Sequence, residues 1–155
     1  CTRIAEHRGF AFGDVARDLA EHDARAQLRL GMRSDEITTE EVASPGPGNV
    51  VMLRIAFGEV TEVITALGER GVRAEDVAAA VANEAQALLA ANVPVGSHLA
   101  DQLLVPMALA GGGAFRTIAP SLHTRTNAQV IERFLPVQFA MREDGGAWIV
   151  EVHPK

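Results

Sequence analysis

Two apolar segments in the middle of the chain have the length and composition of β-strands. Residues 50–57 (VVMLRIAF) form an almost continuous apolar run, and residues 60–67 (VTEVITAL) are rich in valine, isoleucine and threonine. Short runs of this kind that end at glycine are typical of buried or half-buried strands. Gly58 lies between the two runs, so the pattern predicts a β-hairpin that is closed by Gly68 and Gly71.

Helical spacing replaces the strand pattern further along the chain. Residues 74–91 are rich in alanine and place their larger apolar residues on one face, which predicts an amphipathic helix. A second helix is predicted from Ser97, a favourable N-cap residue, to residue 110. Pro106 is expected to kink this helix, and the glycines at 111–113 are expected to end it.

The last third of the chain alternates between strand and helix patterns. The predicted elements are a strand over residues 114–118, a helix over about 126–134, and strands over 137–142 and 147–152. A loop or short strand that holds His123 precedes the helix, and Asp-Gly-Gly at 144–146 predicts a hairpin turn. Three polar residues are candidate caps of that helix: Thr124, Thr126 and Asn127. Hairpins combined with helical crossovers predict an α+β fold in which a sheet packs against helices.

The first 44 residues are the most charged part of the chain. Apolar residues recur at helical spacing from Val15 onward, which predicts a solvated amphipathic helix that ends near Gly31. The segment 44–49 (SPGPGN) cannot continue a helix or a paired strand, because proline lacks the amide hydrogen that both require. We therefore predict a linker that separates residues 1–44 from residues 45–155.

Composition and charge narrow the classes of function. The 155 residues are 48% hydrophobic and 22% charged, which is typical of a globular protein. Lysine and arginine number 14 against 20 aspartate and glutamate residues, and the net charge of −6 argues against nucleic-acid binding through overall charge. The net charge does not exclude a local basic groove.

The cysteine content and the apolar segments indicate the cellular compartment in which the protein is expected. The one cysteine, Cys1, excludes an internal disulfide and a zinc site of several thiolates, and it suits a reducing compartment. No apolar run is long enough to span a bilayer, and the chain opens without the pattern of a secretory signal. We expect a soluble cytoplasmic protein with no membrane partner. Because the chain begins with cysteine rather than methionine, we expect it to be part of a longer protein.

Ionisable side chains are sparse between residues 77 and 131, and most of them form one candidate cluster. Glu84 is assigned to the exposed face of the first helix. The candidate cluster contains His98, Asp101, Gln102, Arg116, His123 and Arg125. Arginine binds phosphate oxygens in a planar fork, aspartate holds magnesium through water, and histidine serves as a base or nucleophile. This combination points to a phosphate ligand.

Each of these signals also has an ordinary structural explanation. Three glycines after a helix commonly form a C-cap and a turn. His123 in a polar segment is by default a hydrogen-bonded loop residue. His98 and Asp101 are three residues apart on a helix, and the lack of a third ligand at helical spacing argues against a metal site. The residues alone leave a structural role and a phosphate site as alternatives.

Four motifs resemble the C-terminal part of the RNA 3′-terminal phosphate cyclases. They are GSHLADQL (96–103), PMALAG (106–111), SLHTRTN (121–127) and VIERFLPV (130–137). Residues 44–49 and 57–71 are similar to the same family, so the resemblance covers about residues 42–152. It implies the family's helix-and-sheet repeat unit, preceded by the remnant of a small inserted domain. The N-terminal half of these cyclases has no counterpart in the chain.

The resemblance implies a ligase-type enzyme that uses ATP with Mg²⁺ or Mn²⁺. In this family ATP adenylylates a histidine, AMP passes to an RNA 3′-phosphate end, and the adjacent 2′-hydroxyl closes a 2′,3′-cyclic phosphate. The nucleophilic histidine falls on His123. The nucleotide-contacting segment falls on His98, Leu99, Ala100, Asp101 and Gln102. Asp101 would orient the metal or the histidine, Gln102 would donate to a phosphate or the ribose, and Arg125 would contact phosphate. Any RNA contact would be made by a local groove that contains Arg116, Arg125 or Arg133.

Three other interpretations use the same fold or a similar one. A non-catalytic RNA-processing or scaffold protein is one, although relatives of that kind lack the nucleophilic histidine that is present here as His123. An inactive fragment that pairs with a missing N-terminal half, or with itself, is another. A carboxyvinyl transferase of similar architecture is disfavoured, because it would leave the histidine motif without an explanation.

Overall fold

The fold is α+β, as the hydrophobic pattern predicts. A computed structural model of the chain describes residues 2–10, 37–41 and 48–155. The chain divides into two compact units, Cys1–Gln86 and Ala87–Lys155. The predicted helix that ends near Gly31 lies outside the described residues, as do residues 44–47 of the linker predicted over 44–49. The prediction is wrong at Gly48 and Asn49, which begin the strand Gly48–Phe57 and pair with Phe10 and Gly9, because both prolines of the segment precede them. The predicted boundary between residues 44 and 45 stays a prediction.

The first unit is built on a four-stranded sheet with the order β2-β1-β3-β4. Its strands are β1 (Thr2–Phe10), β2 (Ile37–Glu41), β3 (Gly48–Phe57) and β4 (Val60–Leu67). Strands β1 and β2 are parallel, and the other two pairs are antiparallel. Helix α1 (Ala74–Ala91) follows β4 with the predicted bounds.

The hairpin of β3 and β4 confirms the prediction from the strand pattern. Leu53 and Ile64 are paired across the two strands and are each 2% exposed. Gly58 turns the chain at a φ of +60°, a conformation that glycine adopts without steric cost. Glu62 also lies on the buried side of β4, which the composition of the run does not predict. Glu84 differs from its prediction too: it is half-buried on α1, and its Oε1 is buried without a hydrogen-bond partner among the described residues.

The second unit packs two helices against a three-stranded sheet with the order β5-β7-β6. Its elements are α2 (Ser97–Ala110), β5 (Gly113–Thr117), α3 (Leu122–Phe134), β6 (Val137–Asp144) and β7 (Ala147–Pro154). All strand pairs in this sheet are antiparallel. Gly145 and Gly146 both have positive φ, so the tight turn predicted between the last two strands is confirmed.

The core of the second unit lies between its sheet and its two helices. Leu104 of α2 and Val150 of β7 are fully buried against each other together with Ala128 of α3. Ala108 stands one helical turn after Leu104 and packs with Val152. Among the described residues, no helix is both long enough and apolar enough to cross a membrane.

Truncating Leu104 tests this packing. Leu104→Ala is expected to lower the free energy of unfolding by about 2–5 kcal/mol, because it removes buried methyl groups and leaves a cavity. Urea denaturation followed by Trp148 fluorescence measures the loss, since Trp148 is the only tryptophan and lies in the same unit. Val105→Ala is the matched control, because the neighbouring Val105 is 49% exposed. Equal losses in the two variants would contradict the core described above.

The starts of the two helices differ from their predictions. The N-cap of α2 is Gly96, so Ser97 is the first helical residue rather than the cap. Helix α2 continues through Pro106 and ends at Gly111, which has a φ of +77°. Helix α3 begins at Leu122, four residues before the predicted start, and the cap is Ser121. The serine cap outweighs the weak helix propensity of the threonines that follow, and His123 is therefore helical.

Candidate active site

His123 projects from the first turn of α3 with its side chain 73% exposed. The turn beneath it is fixed by Ser121, whose Oγ accepts from the backbone amide of Thr124 at 3.0 Å. The hydroxyls of Ser121 and Thr124 are also hydrogen-bonded at 2.9 Å, and Thr124 is fully buried. The imidazole is therefore open to solvent while its helix start is held in place.

Asp101 brings a carboxylate from α2 to this imidazole. Its Oδ2 is paired with Nδ1 of His123. An ionised carboxylate only accepts hydrogen bonds, so Nδ1 must carry the hydrogen. In the neutral ring Nε2 then holds the lone pair. The Asp101 side chain is 20% exposed, so the carboxylate is sheltered while the ring is accessible.

The second carboxylate oxygen of Asp101, Oδ1, bears on the prediction that Asp101 orients a metal ion. Oδ1 is buried and has no hydrogen-bond partner among the described residues. In that part of the chain, no three histidine, cysteine, aspartate or glutamate side chains converge on a metal-binding point. A role of Asp101 toward the metal stays a prediction, whereas its contact with Nδ1 fits the predicted role of orienting His123.

Asn127 is a further neighbour of the same nitrogen. Its side-chain Nδ2 lies 3.3 Å from Nδ1 of His123, one helical turn along α3. The sequence pattern suggested a helix cap at this position, and the structure contradicts that assignment because Ser121 is the cap. For a helix that starts at Leu122, the four-residue spacing between His123 and Asn127 predicts this contact.

The remaining residues of the predicted nucleotide segment lie in the first two turns of α2. His98 and Gln102 are exposed and one turn apart, so they share a face of the helix. Leu99 is half-buried, and Ala100 is 1% exposed with its amide donating to the carbonyl of Gly96 at 2.9 Å. The N-cap Gly96 has no side chain to satisfy the first amides, and the first turn holds no acidic residue. The positive end of the helix dipole therefore favours an anion.

The structure does not bring Arg125 to the His123–Asp101 pair. Its Nε donates to the carbonyl of Pro120 at 3.2 Å, and its guanidinium lies 4.9 Å from the ring centroid of Trp148. Residues two apart on a helix point in different directions, which explains why Arg125 and His123 diverge.

The other two arginines of the predicted RNA groove lie on separate elements of the second unit. Arg116 on β5 is paired with Asp144 at 3.4 Å, and Arg133 is exposed in the last turn of α3. An RNA contact at these positions stays a prediction.

Comparison with known proteins identifies the family. A family model described as RNA 3′-terminal phosphate cyclase matches residues 32–141. A protein of that name from Salmonella enteritidis PT4 is 48% identical over 107 residues, which are 69% of this chain and 32% of the relative. Its counterpart from Salmonella paratyphi C is 49% identical over 110 residues, or 71% of this chain and 32% of the relative. The chain thus spans about a third of the length of these relatives. The chain belongs to the RNA 3′-terminal phosphate cyclase family.

Proposed function

We propose that this chain carries the AMP-transfer site of an ATP-dependent RNA 3′-phosphate cyclase, with His123 as the nucleophile. The observation that carries the proposal is the pairing of an exposed imidazole with a sheltered carboxylate through Nδ1. This arrangement leaves Nε2 unprotonated and accessible, which is what attack on phosphorus requires. The names of the family and of the relatives support the RNA 3′-phosphate end as the substrate.

The first step joins AMP to the histidine. Nε2 of His123 attacks the α-phosphorus of ATP, a nitrogen–phosphorus bond forms, and the bond to pyrophosphate breaks. Positive charge develops on the ring as Nε2 gives up its lone pair. The Asp101 carboxylate on Nδ1–H stabilises that charge, and it acts more strongly than it would in water because it is largely sheltered.

The next steps return the ring to its starting state. An oxygen of the RNA 3′-phosphate attacks the phosphorus of AMP, and the electrons of the broken nitrogen–phosphorus bond return to Nε2. The 2′-hydroxyl of the RNA then attacks the activated phosphate, loses its proton to solvent and expels AMP. His123 ends these steps neutral and still bound to Asp101.

The start of α2 is the proposed binding site for the nucleotide. The amides of Ser97, His98 and Leu99, which precede the first hydrogen bond within the helix, face the phosphates, and Ala100 closes the turn beneath them by donating to the carbonyl of Gly96. His98 stacks on the adenine, and Gln102 donates to a phosphate or to the ribose. Mg²⁺ or Mn²⁺ bound to ATP would neutralise the β- and γ-phosphates and so improve pyrophosphate as a leaving group.

Cyclisation of RNA tests the proposed function. The chain is incubated with ATP, Mg²⁺ and an RNA labelled in its 3′-phosphate, and the label is then challenged with phosphatase. We expect ATP-dependent label that phosphatase cannot remove, because a cyclic phosphate has no free monoester. The same RNA with a terminal 2′-deoxyribose is the control, since it can accept AMP but cannot cyclise. RNA that is bound but remains phosphatase-sensitive would contradict the proposal and support a non-catalytic scaffold.

A further inference from the structure

We propose that Asn127 is a positioning residue that turns its amide oxygen toward Nδ1–H of His123. Together with Asp101 it holds the ring in the orientation and tautomer that leave Nε2 free to react. This inference rests on the proposed function and adds a residue to that site. It starts from the 3.3 Å separation between the Asn127 amide and Nδ1, the same nitrogen that Asp101 contacts.

The two contacts on Nδ1 restrict how the asparagine is oriented. A ring nitrogen either donates or accepts, so Nδ1 cannot donate to Asp101 and also accept from the amide NH₂ of Asn127. Asp101 accepts in either case, and the hydrogen must therefore be on Nδ1. The oxygen and nitrogen of an asparagine amide are nearly equal in size, so a half-turn of the amide places the oxygen where the NH₂ stands. Only this orientation makes both contacts attractive.

The second contact adds to the constraint that the carboxylate places on the ring. The Cβ–Cγ torsion of histidine is broad and roughly two-fold, so an exposed ring that leaves Asp101 turns freely unless another group also holds Nδ1. His123 is 73% exposed and has little packing against it. Asp101 approaches from α2 and Asn127 from α3, so Nδ1 is held from two helices. Asp101 and Asn127 together thereby determine where Nε2 points, and they also determine which ring nitrogen carries the hydrogen.

The tautomer of His123 tests the inference without any substrate. Long-range ¹H–¹⁵N NMR spectra of the labelled chain distinguish a protonated from an unprotonated ring nitrogen, at a pH where the spectra show a neutral ring. We expect the wild-type chain to hold its hydrogen on Nδ1. Asn127→Ala is expected to give a mixture of tautomers, because part of the population then turns its ring away from Asp101 and loses the acceptor that holds the hydrogen on Nδ1. Asn127→Asp, which has the same shape and only accepts, is expected to retain the hydrogen on Nδ1.

Thr126→Ala is the matched control, because Thr126 is exposed on the same helix and its hydroxyl donates to the carbonyl of Leu122. It is expected to leave the tautomer unchanged. A tautomer that is unchanged in Asn127→Ala would overturn the inference. Loss of the Nδ1 hydrogen in Asn127→Asp would also overturn the inference, because the wild-type contact with Nδ1 would then be made by the amide NH₂ rather than by the amide oxygen.

The rate of AMP transfer provides a second measurement. Asn127→Ala is expected to lower the single-turnover rate about 10–100-fold through misplacement of Nε2, and Asn127→Asp to recover part of that loss. The two proposals fail in different ways. A chain that transfers no AMP but shows the expected tautomers contradicts the proposed function and supports the positioning role. A chain that transfers AMP while Asn127→Ala keeps the wild-type tautomer contradicts the positioning role alone.

Discussion

Replacing His123 with alanine is expected to abolish formation of the protein–AMP adduct. The loss is expected to be on the order of 10⁴-fold or more, because Nε2 of His123 forms the nitrogen–phosphorus bond in the proposed reaction. The chain is incubated with Mg²⁺ and ATP that is radiolabelled at the α-phosphate, and then separated on a denaturing gel. Acid-labile label is expected on the wild-type chain and none on His123→Ala.

His98→Ala is the matched control for this experiment. His98 is a second exposed histidine, on α2, and is proposed to contact the adenine. Its loss is expected to raise the ATP concentration needed for half-maximal labelling, while saturating ATP still labels the protein. Label that persists in His123→Ala would show that His123 is not the nucleophile. Label that disappears in His98→Ala at saturating ATP would contradict a role of His98 in adenine binding alone.

Replacing Asp101 with asparagine is expected to slow AMP transfer by about 10²–10⁴-fold without unfolding the chain. Asparagine keeps the shape of the side chain but removes the charge that stabilises the developing imidazolium. Its NH₂ can also donate to Nδ1, which favours the tautomer that carries its hydrogen on Nε2 and cannot attack. Single-turnover labelling at saturating ATP measures the rate constant.

Asp144→Asn provides the comparison for the removal of a carboxylate. Asp144 is also ion-paired, with Arg116 at 3.4 Å, but that pair lies on β5 and β6 and both side chains are about half exposed. Exposed ion pairs contribute little free energy to a protein. Asp144→Asn is therefore expected to change the rate of AMP transfer by less than about twofold. Equal effects of the two substitutions would contradict an orienting role for Asp101.

Local signals explain which elements of the fold could be predicted from the sequence. The alanine-rich helix α1 has its predicted bounds, and the glycines at 58 and 145–146 form the expected turns. In these places the conformation depends on residues that are close in the chain. The start of α3 was misplaced because a serine cap, rather than helix propensity, decides where that helix begins.

The error at α3 also affected the interpretation of the site. For a His123 in a loop, the spacing to Asn127 carries no structural information. In a helix that starts at Leu122, this i to i+4 spacing places Asn127 beside the ring, whereas Arg125 lies over Trp148. The contact between Asp101 and His123 joins residues 22 apart, so it depends on how α2 and α3 pack. The motifs suggested that these residues act together, but only the packing shows which oxygen meets which nitrogen.

Mapping the attached nucleotide within the chain tests the central claim most directly. The chain is incubated with ATP and Mg²⁺, digested under conditions that preserve nitrogen–phosphorus bonds, and analysed by mass spectrometry. We expect AMP on the peptide that contains His123, attached to its imidazole. The chain has one lysine, Lys155, whose Nζ donates to the carbonyl of Glu132 at 2.5 Å. AMP on Lys155 or on any residue other than His123 would contradict the assignment of His123 as the nucleophile, and no adduct at all would contradict a self-sufficient AMP-transfer site in this chain.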